Sequence, residues 1–429
     1  MLSKAENEVL TRIGPGTPMG NLVRQYWIPV MLSEELAEAD GAPLRVRLLC
    51  EDLIMFRDTS GRVGLLEDHC SHRGASLFFG RNEENGLRCV YHGWKYDVSG
   101  QCVDMPNEPP ETSFAEKIHH HAYPCVEYGG MIWAYLGPRS QPPELPKLEW
   151  ATVPAEHRNL SPVVRECNWV QALEGDIDTA HLYFLHARLD GNEDRGPQND
   201  NGVFHEDRHP RLHLVDKPYG LVYGAQRDEG SDKYYWRITQ FMFPFHTFFP
   251  PGGFSGVPGH IWVPLDDYHT MVWSVSWNPI EPLIRRQQWS RPDASQYLPA
   301  TSDGMGRWRS PINKGNDYMI DRDLQSTKTF TGIPSIPMQD QAVTESMGPI
   351  YDRSQEHLGS TDAMIMQVRR KLIEAAKAFE EEGVTPPCVD QPELYGIRSA
   401  SLVLDRQADW TQETKELLKA FTGLPVATV

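Results

Sequence analysis

CSHRGASL at residues 70–77 and CVYHGWKYDVSG at residues 89–100 decide how this chain is read. Each stretch opens with a cysteine that is followed closely by a histidine: Cys70 and His72, then Cys89 and His92. Two Cys-x₁₋₂-His pairs on neighbouring loops bring two thiolates and two imidazoles to one centre. That donor set suits a [2Fe–2S] cluster in which one iron takes both thiolates and the other both imidazoles, a substitution that raises the reduction potential. The same residue types also form structural zinc sites. Zinc fingers, however, pair Cys with Cys and His with His, and here the pairing is mixed twice. Gly74, Gly93 and the Ser99-Gly100 turn allow tight loops beside such a centre.

Outward from the two stretches the texture is that of short strands. Residues 45–68 alternate apolar runs with Asp, Ser and Gly turns, YDVSGQCV reads as a hairpin, and GGMIWAYLG closes the series near residue 137. This predicts an all-β domain over 41–145, carrying a Rieske-type cluster and preceded by an N-terminal segment, 1–40, that packs with the larger domain after it. The Pro-rich run Pro138–Pro146 reads as a linker. A larger domain follows, 146–429. In it Asn168–His186 has helical character and Leu212–Asn278 predicts a long antiparallel sheet. Residues 300–335 are loop-like. Thr361–Glu382 reads as an amphipathic helix stopped by Gly383, and residues 409–422 as a second C-terminal helix ended by Gly423. The fold class is α+β.

A second constellation lies in NWVQALEGDIDTAHLYFLH, residues 168–186: Glu174, Asp178, His181 and His186. Two histidines and a distant carboxylate make the facial triad of non-haem Fe(II) oxygenases, which leaves positions open for O₂. On a continuous helix Asp178 and His181 lie roughly 60° apart, but His181 and His186 about 140° apart. Either a π-bulge or a helix ending near Phe184 is required to aim both imidazoles at one metal.

These residues carry a family resemblance. CSHRGASL, CVYHGWKYDVSG and NWVQALEGDIDTAHLYFLH resemble the signatures of Rieske non-haem iron ring-hydroxylating oxygenase α-subunits. DQAVTESMGPIYDRSQEHLGSTDAMIMQVRR resembles the phthalate dioxygenase-like branch. The resemblance implies a helix-grip catalytic domain and a homotrimer or stacked hexamer. It also implies Fe(II) on His181, His186 and Asp340, with Asp317, Asp321, Asp323 and Asp352 as rival third ligands. Asp178 is implied as a bridge to His92 of a neighbouring subunit. O₂-dependent hydroxylation of an aromatic acid, or its O-demethylation, is the implied activity, with Arg227 or Arg237 holding the carboxylate. Glu174 falls beside the iron. Electrons are implied to come from a separate NAD(P)H-linked reductase of flavin and ferredoxin type, since the chain has no C-x₄-C-x₂-C run of its own. The other reading is a Rieske electron carrier with a non-catalytic ligand-binding domain.

The 429 residues suffice for two domains, with 40% hydrophobic and 23% charged residues. A net charge of −18 argues against a nucleic-acid partner. The opening MLSKAENEVL has no basic and apolar leader pattern, no stretch reaches the length of a spanning helix, and seven cysteines are a poor disulfide framework. The expectation is a cytoplasmic protein without a membrane segment. Cys50, Cys102, Cys125, Cys167 and Cys388 read as packing residues. His119-His120-His121 cannot converge on one metal if they lie on a strand. His205, His209 and His213 are helix-spaced, but Pro210 breaks the helix and leaves a solvated loop. The aromatic run Phe241–Phe249 reads as core.

Overall fold

The computed structural model describes residues 1–189, 207–250, 256–283 and 297–423. The first half of the chain forms short antiparallel strands: β1 Trp27–Leu32, β2 Leu44–Leu48, β3 Glu51–Arg57, β4 Val63–Glu67, β5 Arg81–Glu83, β6 Gly86–Arg88, β7 Lys95–Tyr96, β8 Cys102–Asp104, β9 Ala122–Tyr123, β10 Cys125–Tyr128 and β11 Met131–Tyr135. They make sheets β2-β3-β4-β9 and β5-β6-β7-β8, with a third, β1-β11-β10, beneath them. The expected hairpin is β7–β8, where Tyr96 pairs with Cys102 around a left-handed Gly100. A small core of Ile54, Phe56, Leu66, Leu77, Leu87, Trp94 and Tyr96 lies between the two four-stranded sheets and includes Cys70 and Cys89.

The N-terminal segment divides its contacts. Helices Lys4–Thr11 and Pro18–Val23 pack on the long helix Ala363–Glu382, while β1 pairs with β11. Thr11 and Asp267 are stitched together by Asn168, whose side-chain amide donates to both of their carbonyls. The linker has no regular structure but is pinned: the Trp27 indole donates to the Pro143 carbonyl at 2.8 Å, and Lys147 N–H to Pro392.

The second half is built on one antiparallel sheet: β12 Arg158–Arg165, β13 Arg211–Lys217, β14 Gly220–Glu229, β15 Lys233–Met242, β16 His246–Phe248, β17 Val257–Pro264, β18 Thr270–Trp277 and β19 Ala400–Asp405. Its order is β12-β18-β17-β16-β15-β14-β13, with β19 on β15. Helix Trp169–Ile177 lies against β15, β16 and β17, and helix Ala363–Glu382 against β13 and β14. This long sheet gripping helices is the α+β arrangement expected from the sequence. Phe241, Phe243, Phe245 and Phe248 are buried in the core, as expected.

Helix Ala363–Glu382 begins after a 3₁₀ turn at Ser360–Asp362 and stops at Gly383 in the left-handed region, φ +69°. The second C-terminal helix is a correction. Only Trp410–Glu413 is helical. Beyond it tertiary partners take the backbone groups that a helix would use: Arg398 N–H donates to Leu418, Ala420 N–H donates to Gly396, and Phe421 N–H donates to the Glu149 carboxylate. No helix among the described residues is long and apolar enough to cross a membrane.

Candidate metal centres and cavity

Cys70 and Cys89 sit in two loops of the same design. Cys70 follows β4, and Cys89 lies in the β6–β7 turn. In each loop the cysteine N–H donates to the carbonyl five residues on, Ala75 or Trp94. In each, the cysteine carbonyl accepts from the glycine four residues on, Gly74 or Gly93. Both glycines have positive φ, +72° and +80°, and so suit a residue without a Cβ. Both thiols are buried and free of disulfides. The His72 and His92 rings lie 4.3 Å apart, centroid to centroid, and His72 stacks on Trp94 at 4.5 Å. His72 Nδ1 is buried with no hydrogen-bond partner. A buried ring nitrogen left unpaired is costly, and a metal ion would satisfy it. Tyr96 OH lies 3.2 Å from Cys70 Sγ.

The triple histidine lies just before β9, with His119 in an isolated bridge to Gln101, and its side chains alternate. His119 and His121 are exposed, whereas His120 is buried. The reading of the sequence missed what His120 does. Its Nδ1 meets Ser71 Oγ at 2.8 Å and its Nε2 the Glu67 carbonyl at 2.8 Å, so it braces the Cys70 loop. His213 meets Gln226, His209 is exposed, and His205 lies outside the described residues.

In the second half, the helix through 168–186 ends at Ile177, earlier than expected and without a π-bulge. Asp178 causes the break. Its Oδ1 accepts from Ala180 N–H at 2.7 Å, an Asx turn that competes with the helix ladder. A 3₁₀ turn, His181–Tyr183, follows. The break resolves the angular conflict, and the rings of His181 and His186 come to 5.1 Å at 82°. Asp340, on helix Ile336–Ser346, closes the group. Its Oδ1 is 3.2 Å from His186 Nε2 and 3.6 Å from His181 Nε2. The three ligand atoms lie within 4.8 Å of one another, a set that fits one metal ion. Burial works to raise the Asp340 pKa, but the adjacent His186 and His181 outweigh it and hold it at about 2.

Outer contacts orient the two imidazoles. Gln339 Oε1 accepts from His186 Nδ1 at 2.7 Å, and Asp178 Oδ2 lies 3.4 Å from His181 Nδ1. The rival aspartates are elsewhere. Asp317 and Asp323 are exposed, while Asp321 and Asp352 cap short helices. Glu174 points away from the group. It is clamped by Arg369 at 2.6 Å and Arg353 at 3.2 Å, which corrects the expectation that it stands beside the iron.

His181, His186 and Asp340 line a cavity of about 150 Å³ between the sheet and the two helices. Arg237 and Phe249 reach it. Arg227 does not. It is buried against Thr179, donating to that residue's carbonyl, and burial lowers its pKa to about 10. Among the cavity residues not singled out from the sequence are Arg165, Asp176 and His260. Asp176 joins His260 Nδ1, 2.9 Å away, to the Thr247 hydroxyl, and the Trp262 indole donates to the same hydroxyl at 2.8 Å. The signal available was period-two alternation. Asn159, Ser161, Val163 and Arg165 share one face of β12, and His260 and Trp262 one face of β17.

Comparison with known proteins agrees with this geometry. Residues 26–123 match the Rieske [2Fe–2S] domain, and residues 134–421 match the family described as LigXa C-terminal domain like. The oxygenase subunit of 3-chlorobenzoate-3,4-dioxygenase from Comamonas testosteroni is 41% identical, covering 94% of this chain and 96% of that one. The oxygenase subunit of phthalate 4,5-dioxygenase from Pseudomonas putida is 39% identical, covering 96% and 94%. The solved structure of NdmA from Pseudomonas putida CBB5 shares the fold, with a TM-score of 0.57 at 20% identity over 91% of this chain and all of that one. The zinc and electron-carrier readings therefore fall away. The Rieske domain is that of a [2Fe–2S] protein, the relatives along the whole chain are oxygenase subunits, and such a subunit draws its electrons from a separate reductase. This chain belongs to the Rieske non-haem iron aromatic ring-hydroxylating oxygenase α-subunits, in their phthalate dioxygenase-like branch.

Proposed function

We propose that the chain is the terminal oxygenase of a system that hydroxylates the ring of an aromatic carboxylate. The observation that carries this reading is the convergence of His181, His186 and Asp340 at the wall of a cavity that also receives arginine side chains. The substrates for which the two relatives are named, 3-chlorobenzoate and phthalate, are both aromatic acids. Cys70, His72, Cys89 and His92 would hold the cluster; His181, His186 and Asp340 would hold Fe(II). When bound, the cluster supplies single electrons and the iron supplies O₂ activation.

The residues of the chain do the rest. Gln339 and Asp178 fix the two imidazoles in the tautomer that presents Nε2 to the metal position. Val163, Val272 and Trp262 give an aromatic ring an apolar wall and exclude water. Arg237 presents positive charge to the cavity, and Arg227 adds to the field from behind Thr179.

The chain is proposed to work as a homotrimer or stacked hexamer. Val90, Tyr91, Phe79 and Phe114 are exposed around the cluster loops, and Phe184 and Phe330 near the iron site. Apolar surface at both places suits a head-to-tail contact in which His92 meets Asp178 of a neighbour. A reductase of flavin and ferredoxin type, a cytoplasmic location and the division into 1–40, 41–145 and 146–429 belong to the same proposal. Turnover with a compatible reductase on a panel of benzoates and phthalates, with mass analysis of products, tests it. Hydroxylated ring products are expected. Formaldehyde from methoxylated acids alone would replace ring hydroxylation by O-demethylation.

A further inference from the structure

The cavity face of the sheet is ordered in rows. Across β12, β18 and β17 the register aligns Val163, Val272 and Trp262 in one row and Ser161, Ser274 and His260 in the next. Arg165 ends β12 on the other side of the apolar row, beside the loop that enters helix Trp169–Ile177. All seven side chains line the cavity. A cation, an apolar floor and a hydrogen-bonding edge thus follow one another along the strands, each row separated from the next by roughly 6–7 Å.

Arg165 is the unusual member. It is only 5% exposed, yet among the described residues its guanidinium has no hydrogen bond and no ion pair, and its Nε is buried without a partner. Its one specific contact is with the face of Trp262, whose ring centroid lies 5.0 Å from Cζ. Other deeply buried arginines are paired: Arg353 and Arg369 hold Glu174, and Arg398 holds Glu149 at 2.6 Å. Asp340 also faces the cavity and feels the charge of Arg165 without forming an ion pair with it, and a metal ion would claim that carboxylate. A buried cation without a counter-ion is costly, and a fork of N–H donors matches a carboxylate in two parallel bonds.

We propose that Arg165 is the specificity-determining residue that receives the substrate carboxylate. The aromatic ring then lies on Val163, Val272 and Trp262, and its far edge turns to Ser161, Ser274 and His260. The ligand class is a monocyclic aromatic carboxylate, and the inference rests on the aromatic-acid reading given above.

Calorimetric titration of the iron-loaded, cluster-oxidised enzyme with 3-chlorobenzoate and with 3-chlorobenzamide tests it. The wild type should bind the acid at least about tenfold more tightly than the amide. R165Q should weaken acid binding by about 10- to 100-fold and leave the amide unchanged, with wild-type iron content and cluster EPR. R165K keeps the cation over Trp262 but loses the fork, so it should favour the acid less than the wild type does. It also serves as the folded variant if R165Q fails to assemble. Undiminished acid binding in R165Q, or wild-type discrimination in R165K, overturns the anchor while leaving the aromatic-acid reading intact. Loss of mononuclear iron in R165Q with acid binding unchanged overturns it in favour of a role on Asp340. Equal binding of acid and amide by the wild type overturns the aromatic-acid reading, and the anchor with it.

Discussion

The two metal centres proposed for this chain are built in opposite ways. The cluster residues fall within 70–92, on two loops that repeat one hydrogen-bond pattern and each end in a left-handed glycine. The iron residues come from a 3₁₀ turn, the loop after it and helix Ile336–Ser346, across the interval from His181 to Asp340. The first centre is held by the local geometry of two short loops. The second exists only once the sheet has brought two distant helical segments together. A locally encoded site should therefore survive damage to the other, and a site assembled by the fold should fail alone.

The largest expected effect tests that independence. His181→Ala should abolish turnover and lower the iron content from about three to about two per chain, with the absorption and EPR of the reduced cluster unchanged. Cys89→Ser should do the reverse, bleaching the cluster while mononuclear iron remains. If either variant lost both metals, the two halves would be coupled in folding and the contrast would collapse.

The next effect joins the centres. Asp178 Oδ1 already accepts from Ala180 N–H, and Oδ2 faces His181. A carboxylate oxygen has two lone pairs, and the side chain keeps 23% of its surface exposed, so one edge stays open for a partner imidazole. Burial works to raise its pKa, but His181 and the backbone donors outweigh this and keep it ionised. Asp178→Asn should preserve fold and metals yet slow cluster reoxidation by orders of magnitude in single turnover. Reoxidation at the wild-type rate would remove the bridge and leave the two centres without a link.

The same contrast explains what could be read from the sequence. The Cys/His spacing could point to a cluster because the four proposed ligands fall within residues 70–92. His181 and His186 were legible as a pair, but the helix arithmetic misplaced the break, because an Asx turn at Asp178 outcompetes the ladder. Asp340 needed the family resemblance. Glu174 was misplaced because a helical position says nothing about Arg353 and Arg369 on distant segments. Arg165 was passed over for Arg227 and Arg237, although alternation along β12 puts it on the cavity face. The residues 409–422 have helical character, yet long-range partners claim their backbone.

A more moderate effect is expected at Glu174, which belongs to the fold and not to the iron. Removing one partner of a buried ion network leaves the others uncompensated, at a cost of about 3–5 kcal/mol. Glu174→Ala leaves the buried Arg353 with Asn7 and no carboxylate, and the buried Arg369 with Glu356 alone. It should lower the denaturation midpoint of the catalytic half while leaving the cluster EPR and the affinity for mononuclear iron at wild-type values. Selective loss of iron without loss of stability would return Glu174 to the metal site.

The smallest effect is expected at the cluster, and it tests whether the local design also tunes it. Tyr96 OH lies 3.2 Å from Cys70 Sγ, and when that sulfur is a thiolate ligand the phenol is the donor. Burial raises the Tyr96 pKa, and Cys70 beside it raises it further. The proton therefore stays on the phenol across the neutral and mildly alkaline range. A hydrogen bond to a cluster sulfur favours the reduced, more negative state and raises the potential. If the reduced state gains about 1 kcal/mol more from it than the oxidised state, its removal lowers the midpoint by about 40 mV for a one-electron couple. Tyr96→Phe should show that fall in a spectroelectrochemical titration, by the same amount at pH 6 and pH 8, because the donor does not titrate in between. A fall confined to one of the two pH values would assign the tuning to a group that does titrate there. An unchanged potential would mean that the Cys70 loop positions the cluster without setting its energy.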